Sequence, residues 1–375
     1  YSNGHGIISA VLGHDINYFL PDEKDGKKQY FYSYQIKELT HKIPIIPFSR
    51  GPKEAIAVYE AINTLHPDLI VTVGDFNEFL FMKAVKMYYP GKIKWLFVMN
   101  NFTNPINEKN TELVSDIDGI LCINQFTKEL IGEIFVKETL EQCYVGSTLS
   151  KAGEKTSDKF RIITTAKNCQ SDNLPTIIKA VAMLRNSIPE IELYCHSNVY
   201  DQGEYDLNLV KSRFDSKNEF IQFPDKYISI CDGSTDDELA QEFSKSHIFV
   251  SIPLISASGI SCFDAIKCGC IPVLSKSGVY SEIVNSLVDT TFWEEDDFLV
   301  EGSEFMAPGE TYLYVTGYKE LAKNILKIYN KMKGRTNNLP EYDIVNKFPR
   351  DKFLSKLLDI AGRTIEIKES IYLDP

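Results

Sequence analysis

Short apolar runs recur along this chain with amphipathic stretches between them, a pattern that strands alternating with helices satisfy. In the first 145 residues the strand-like runs are Ile16–Leu20, Ile43–Phe48, Leu69–Val73, Ile93–Met99 and Gly119–Ile123. Helical spacing of apolar residues falls between them, at Gln29–Leu39, Lys53–Leu65, Asn77–Tyr88 and Gln125–Ile134. Strands separated by helices imply a parallel sheet covered on both faces. The polar stretch Gly146–Lys159 interrupts the pattern and reads as an interdomain linker. The alternation then restarts, with strands at Phe160–Thr165, Ile191–Cys195, Phe220–Phe223, Ile248–Ile252 and Cys270–Leu274. Helices are expected at Leu174–Asn186, Asp236–Ser244, Ile260–Cys268 and Tyr318–Lys331, and one more, amphipathic, over Asp351–Ile360. Two α/β domains of Rossmann-like βαβ units follow, facing each other across a ligand cleft at the carboxyl ends of their strands. The expected boundaries are 1–148, a linker at 149–159, a second domain at 160–335 and a helical tail at 336–375.

Composition narrows the partners. A formal net charge of −12 opposes general attraction to nucleic acid or to anionic lipid. The densest basic cluster, Lys327–Arg335, reads as the solvated face and tail of a helix. No run approaches the roughly 18 apolar residues that cross a bilayer, and YSNGHGIISAVLGHD lacks a signal peptide's basic start, so a cytoplasmic location is expected. The eight cysteines form no C-x-x-C pair; they read as reduced thiols, with no metal site expected.

The stretch SASGISCFDAIKCGCIPV, Ser256–Val273, carries the chemistry. A helix amino terminus presents N–H groups without intrahelical partners and a partial positive charge, which suits phosphate oxygens. Gly259, between Ser258 and Ile260, lets a diphosphate approach the backbone. Asp264 lies one turn further in, where it can accept hydrogen bonds from ribose hydroxyls. Asp116 and Asp118 spell a D-x-D that could hold a metal, but Asp118 precedes a buried strand and reads as structural.

With the Gly269-Cys270-Ile271-Pro272-Val273 that follows, this stretch resembles the donor-site signature of family 4 glycosyltransferases, which have the GT-B fold. Asp118–Thr127, Leu174–Ala180, Asp236–Ala240 and Ser281-Glu282-Ile283 fall in that family's order. The resemblance implies transfer of a sugar from a nucleoside-diphosphate sugar, UDP- or GDP-linked, to an acceptor hydroxyl. It further implies retention of anomeric configuration and no metal or other cofactor. The acceptor (glycan, protein, small molecule or modified nucleic acid) stays open. By the same resemblance, donor contacts fall on Lys167, Ser258, Gly259, Ile260 and Asp264, with Gly4 and Gly6 approaching from the first domain. Catalytic positions fall on Lys167, Asn100 and Ser256.

The departures from the pattern are specific. Ser256 stands where the family has the first of two glutamates, and Asp264 stands for the second. Lys167 replaces an arginine, Asp172 replaces a lysine, and Met99-Asn100-Asn101 stands where many members carry a histidine. An acid at 172 repels a diphosphate unless it faces away or the motif is rewired. These changes keep two alternatives open: a GT-B-fold binding protein without activity, and a nucleotide-sugar epimerase or hydrolase.

Overall fold

A computed structural model of the 375-residue chain describes residues 30–36, 39–45, 59, 62–63, 67–74, 81–89, 91–99, 112, 114–135, 137, 139–147, 149, 157–197, 205–224, 235–255, 259–287, 293–307, 311–333 and 347–370. Two all-parallel sheets organise the fold. The first has the order β3-β4-β5-β6, from Leu69–Gly74 (β3), Lys94–Met99 (β4), Gly119–Cys122 (β5) and Leu140–Gln142 (β6). Helix α1 (Phe81–Tyr88) precedes β4, and α2 (Gln125–Gly132) follows β5. A separate antiparallel hairpin pairs β1 (Tyr30–Ile36) with β2 (Leu39–Ile45).

The second sheet contains β7 (Phe160–Thr165), β8 (Ile191–His196), β9 (Ile221–Gln222), β10 (Ile248–Ser251), β11 (Ile271–Ser275) and β12 (Leu299–Val300). Its helices are α3 (Leu174–Leu184), α4 (Leu207–Phe214), α5 (Asp236–Lys245), α6 (Ile260–Lys267), α7 (Val279–Leu287) and the short α8 (Glu295–Phe298). Then come a hairpin of β13 (Gly302–Ala307) and β14 (Thr311–Thr316), α9 (Tyr318–Lys333) and a long α10 (Arg350–Ser370).

The sheet order is β12-β11-β10-β7-β8-β9. Counting its strands from β7, this is the doubly wound order 3-2-1-4-5-6 read from the far edge. The chain runs outward from β7 through β8 to β9, then returns to place β10 on β7's other side. β7 and β10 therefore flank the point where the winding reverses.

Local chemistry accounts for the elements. Each residue of β8 is buried, as are the first five of β7, so these strands read as continuous apolar runs. On α3, Leu174, Ile177, Ile178, Val181 and Leu184 share the buried face at helical spacing. Thr235 caps α5 and Glu238 returns the bond, satisfying two end donors. Asn124 caps α2 through Thr127 N–H. Fully buried Phe243, Phe249, Phe263 and Phe298 fill the second core, and Trp95 and Phe97 the first.

The D-x-D acid is structural. Asp118 pairs with Lys86 at 2.6 Å and Lys94 at 3.1 Å, and it accepts Trp95 N–H at 2.8 Å. Burial pushes its carboxyl up, but the Lys86 and Trp95 hydrogen bonds and the lysine charges outweigh this and leave it below the ordinary range.

The expected parallel α/β architecture is present, with one inversion. Gln29–Leu39, expected as a helix, contains strand β1. Four of the seven residues in YFYSYQI are aromatic, a composition that favours a pleated surface, and Ile36 pairs with Leu39 across a two-residue connection. Ile16–Leu20 lies outside the described residues.

Candidate functional site

A cleft of about 430 Å³ opens at the winding reversal, within the usual size of small-ligand sites. Thr164, Thr165 and Ala166 line it from the end of β7, and Ser251 and Pro253 from the end of β10. Gly259, Ile260, Ser261 and Cys262 form the wall where α6 begins, with Asp172 and Tyr280 closing the sides. Ligands of open α/β sheets bind in this crevice, so topology and cavity point to the same place.

Gly259 is required twice over. It caps α6 with φ of +75°, in the left-handed region. A Cβ at this position would also lie 2.5 Å from Ile283 Cδ1 and 3.8 Å from Val279. The glycine lets α7 press against the start of α6, whose first turn then faces the cleft. Tyr280, buried on α7, shares a 2.6 Å hydrogen bond with Ser251 and ties that helix to β10.

Asp172 lines the cleft and does not face away. Its carboxylate accepts the Lys167 backbone N–H at 2.6 Å, closing the loop between β7 and α3. Leu254 N–H donates to Ser171 O at 2.6 Å, joining that loop to the segment after β10. Burial raises the Asp172 carboxyl above the ordinary range, while the Lys167 N–H and charge pull it down. The Lys167 side chain itself is exposed at the mouth of the same loop.

Asp264 is buried at 5% exposure, and its partners belong to the linker. Its Oδ1 accepts Ser147 O–H at 2.7 Å and Leu149 N–H at 3.3 Å. Lys267, on the same helix, donates to Leu149 O. The residue expected at a ribose therefore anchors the chain that connects the two sheets, and it is not among the residues lining the cleft.

A second long-range bond has the same character. Glu282 on α7 accepts Gln125 N–H at 3.0 Å and Phe126 N–H at 2.5 Å, capping α2 of the first sheet. Tyr144 O–H adds a third bond at 2.7 Å. The sequence gave no sign of either contact, because the partners lie more than a hundred residues apart.

Of the positions expected to act, the structure gathers Gly259 and Ile260 at the cleft and puts Lys167 beside it. Gly4, Gly6, Asn100, Ser256 and Ser258 lie outside the described residues. Among the described residues no group of three or more His, Cys, Asp or Glu could hold a metal ion. Among the same residues no helix is long and apolar enough to cross a membrane.

Neither a family model nor a curated protein sequence matches the chain. Solved structures do. The pneumococcal O-GlcNAc transferase GtfA, crystallised with UDP and GlcNAc, is 12% identical with a TM-score of 0.59, over 90% of this chain and 62% of that one. A glycosyltransferase from Rickettsia africae is 13% identical with a TM-score of 0.57, over 86% and 85%. Anabaena Alr3699/HepE, solved with UDP and glucose, is 13% identical with a TM-score of 0.53, over 88% and 87%. These likenesses define the fold as that of the GT-B glycosyltransferases. The chain spans less than two thirds of GtfA's length.

Proposed function

We propose that this chain binds a nucleoside-diphosphate sugar in the cleft between β7 and β10 and transfers the sugar to an acceptor hydroxyl. One observation carries the reading: the cleft sits at the winding reversal, and its wall is the first turn of a helix entered through an obligate glycine. Diphosphate oxygens would meet the start of α6 at Gly259, Ile260 and Ser261. Lys167 would add a point charge at the mouth, which solvent limits to about 1 kcal/mol. Asp264 is assigned to the linker, not to the donor.

In this reading the leaving diphosphate is stabilised by helix N–H groups and Lys167, with no step requiring a metal. Retention follows if the acceptor attacks on the face that the diphosphate leaves, a departing phosphate oxygen taking the hydroxyl's proton. The boundaries 1–148, 149–159, 160–335 and 336–375, and a cytoplasmic location, belong to the same proposal. UDP is the first nucleotide to try, because GtfA and HepE were each solved with it. Calorimetry against UDP-, GDP-, ADP- and dTDP-sugars tests the reading, and failure of all of them to bind refutes it.

Asp172 favours one alternative. A carboxylate lining a diphosphate cleft suits a protein of this fold that binds without transferring. Incubation of each bound nucleotide sugar with a cell extract separates the two readings, since only a transferase moves labelled sugar onto an acceptor. Conversion of the nucleotide sugar without any acceptor would point instead to an epimerase or hydrolase.

A further inference from the structure

Ten buried side-chain polar atoms among the described residues have no hydrogen-bond partner, and five of them gather beside the cleft. They are Thr165 Oγ1, Asn168 Oδ1, Asn173 Nδ2, His196 Nδ1 and Ser197 Oγ. Thr165 ends β7 and pairs in register with His196, which ends β8. Ala166 N–H donates to His196 O at 3.3 Å, so the cleft's own wall is joined to this group. Asn168 is held from the other side, its Nδ2 donating to Tyr205 O at 2.8 Å. Asn168 and His196 are each 8% exposed and Ser197 is 3% exposed.

Buried polar atoms are normally paired, and a cluster of exceptions at one sheet edge calls for a missing partner. The chemistry of the five atoms describes that partner. They mix donors and acceptors and carry no charge, because burial drives the His196 imidazole toward its neutral form. A charged group would find no counter-ion here. A ring bearing amide or hydroxyl groups would find matching donors and acceptors.

Position selects among such rings. The start of α6 follows β10, while His196 ends β8, two strands away across the sheet. At about 4.8 Å per strand, the two lie roughly 10 Å apart. A sugar attached directly to the diphosphate stays close to the phosphates. A base is set off from them by the ribose.

We propose that Thr165, Asn168, Asn173, His196 and Ser197 form the subsite for the nucleobase of the bound nucleotide. His196 and Asn168 read its hydrogen-bonding edge. This assignment rests on the nucleotide-sugar reading of the cleft and adds to it the residues that choose the base.

The test is calorimetry with pyrophosphate, UDP, GDP, ADP, dTDP and a UDP-sugar on wild type, His196→Leu, Asn168→Leu and the near-isosteric Thr165→Val. One nucleoside diphosphate is expected to bind wild type at least tenfold more tightly than pyrophosphate does. The variants should lose about tenfold for that nucleotide and nothing for pyrophosphate. Thr165→Val should melt no lower than wild type without ligand, because it removes an unpartnered group, so its result is free of folding effects. Equal losses for pyrophosphate and nucleotide, or no loss for either, would overturn the subsite alone. A loss confined to the UDP-sugar would identify the ring as the sugar and overturn the base assignment. Binding of none of the probes to wild type would overturn both this and the nucleotide-sugar reading.

Discussion

Replacing Gly259 by alanine perturbs the cleft at its tightest point, and two separable effects contribute. The left-handed φ of +75° costs an L-residue about 1–2 kcal/mol. The added Cβ, 2.5 Å from Ile283 Cδ1, forces repacking worth about 1–3 kcal/mol. Gly259→Ala should therefore destabilise the fold by about 2–5 kcal/mol in total. Ile283→Val deletes the methyl that the new Cβ meets, at an independent cost of about 0.5–1.5 kcal/mol in this buried position. In the double variant the collision is relieved while the φ cost remains. The double variant should then be about 1–3 kcal/mol more stable than the sum of the single changes implies. Urea unfolding followed by tryptophan fluorescence of Trp95 and Trp293 provides the four free energies. Additivity within about 0.5 kcal/mol would refute the claim that α7 presses against the start of α6.

Asp172→Asn keeps an acceptor for the Lys167 N–H but removes a charge from the cleft, so pyrophosphate should bind roughly five- to tenfold more tightly, about 1 kcal/mol by calorimetry. Glu282→Ala strips the cap from α2 and the partner from Tyr144; a loss of about 2–3 kcal/mol in denaturant unfolding is expected. Asp118→Asn leaves Lys86 and Lys94 without their counter-charge and should cost about 3 kcal/mol at neutral pH. Because the folded Asp118 carboxyl lies below its ordinary value near 3.9, its stabilisation is complete above about pH 5 and is lost as pH falls through the folded value. Wild type and variant should therefore converge in acid melting curves, and a gap that persists unchanged to pH 2 would count against the ion pair.

The strands of the second sheet were legible because parallel strands buried on both faces read as unbroken apolar runs, as β7 and β8 do. β6 escaped notice because Leu-Glu-Gln carries too little apolar signal to mark a strand. β1 was misread because its aromatic residues also satisfied a helical spacing over so short a window. At the site, Gly259 was visible from its small-residue setting, and its φ and the crowding by Ile283 supply the reason. Asp264 and Glu282 were visible as acids, but nothing local to either reveals a partner more than a hundred residues away. His196 drew no attention, since the expected strand stopped at Cys195 and a lone histidine has no spacing to interpret.

The long α10 lies against the first sheet, not the second. Ile360, fully buried, packs with Leu96, Val98 and Leu121 of β4 and β5, and Phe353 and Leu357 lean on the same face. Gly119 makes room for it: a Cβ there would sit 2.6 Å from Thr364 Oγ1. Arg363 and Lys356 reach Glu141 at the sheet's edge at 2.9 and 3.2 Å. During synthesis the strands of this sheet emerge more than two hundred residues before the helix that covers them. At roughly 5–20 residues per second, one face of the sheet waits on the order of tens of seconds for its cover. Throughout that interval the nascent chain presents a bare aliphatic surface, which makes this face the natural place for a chaperone to hold the growing polypeptide.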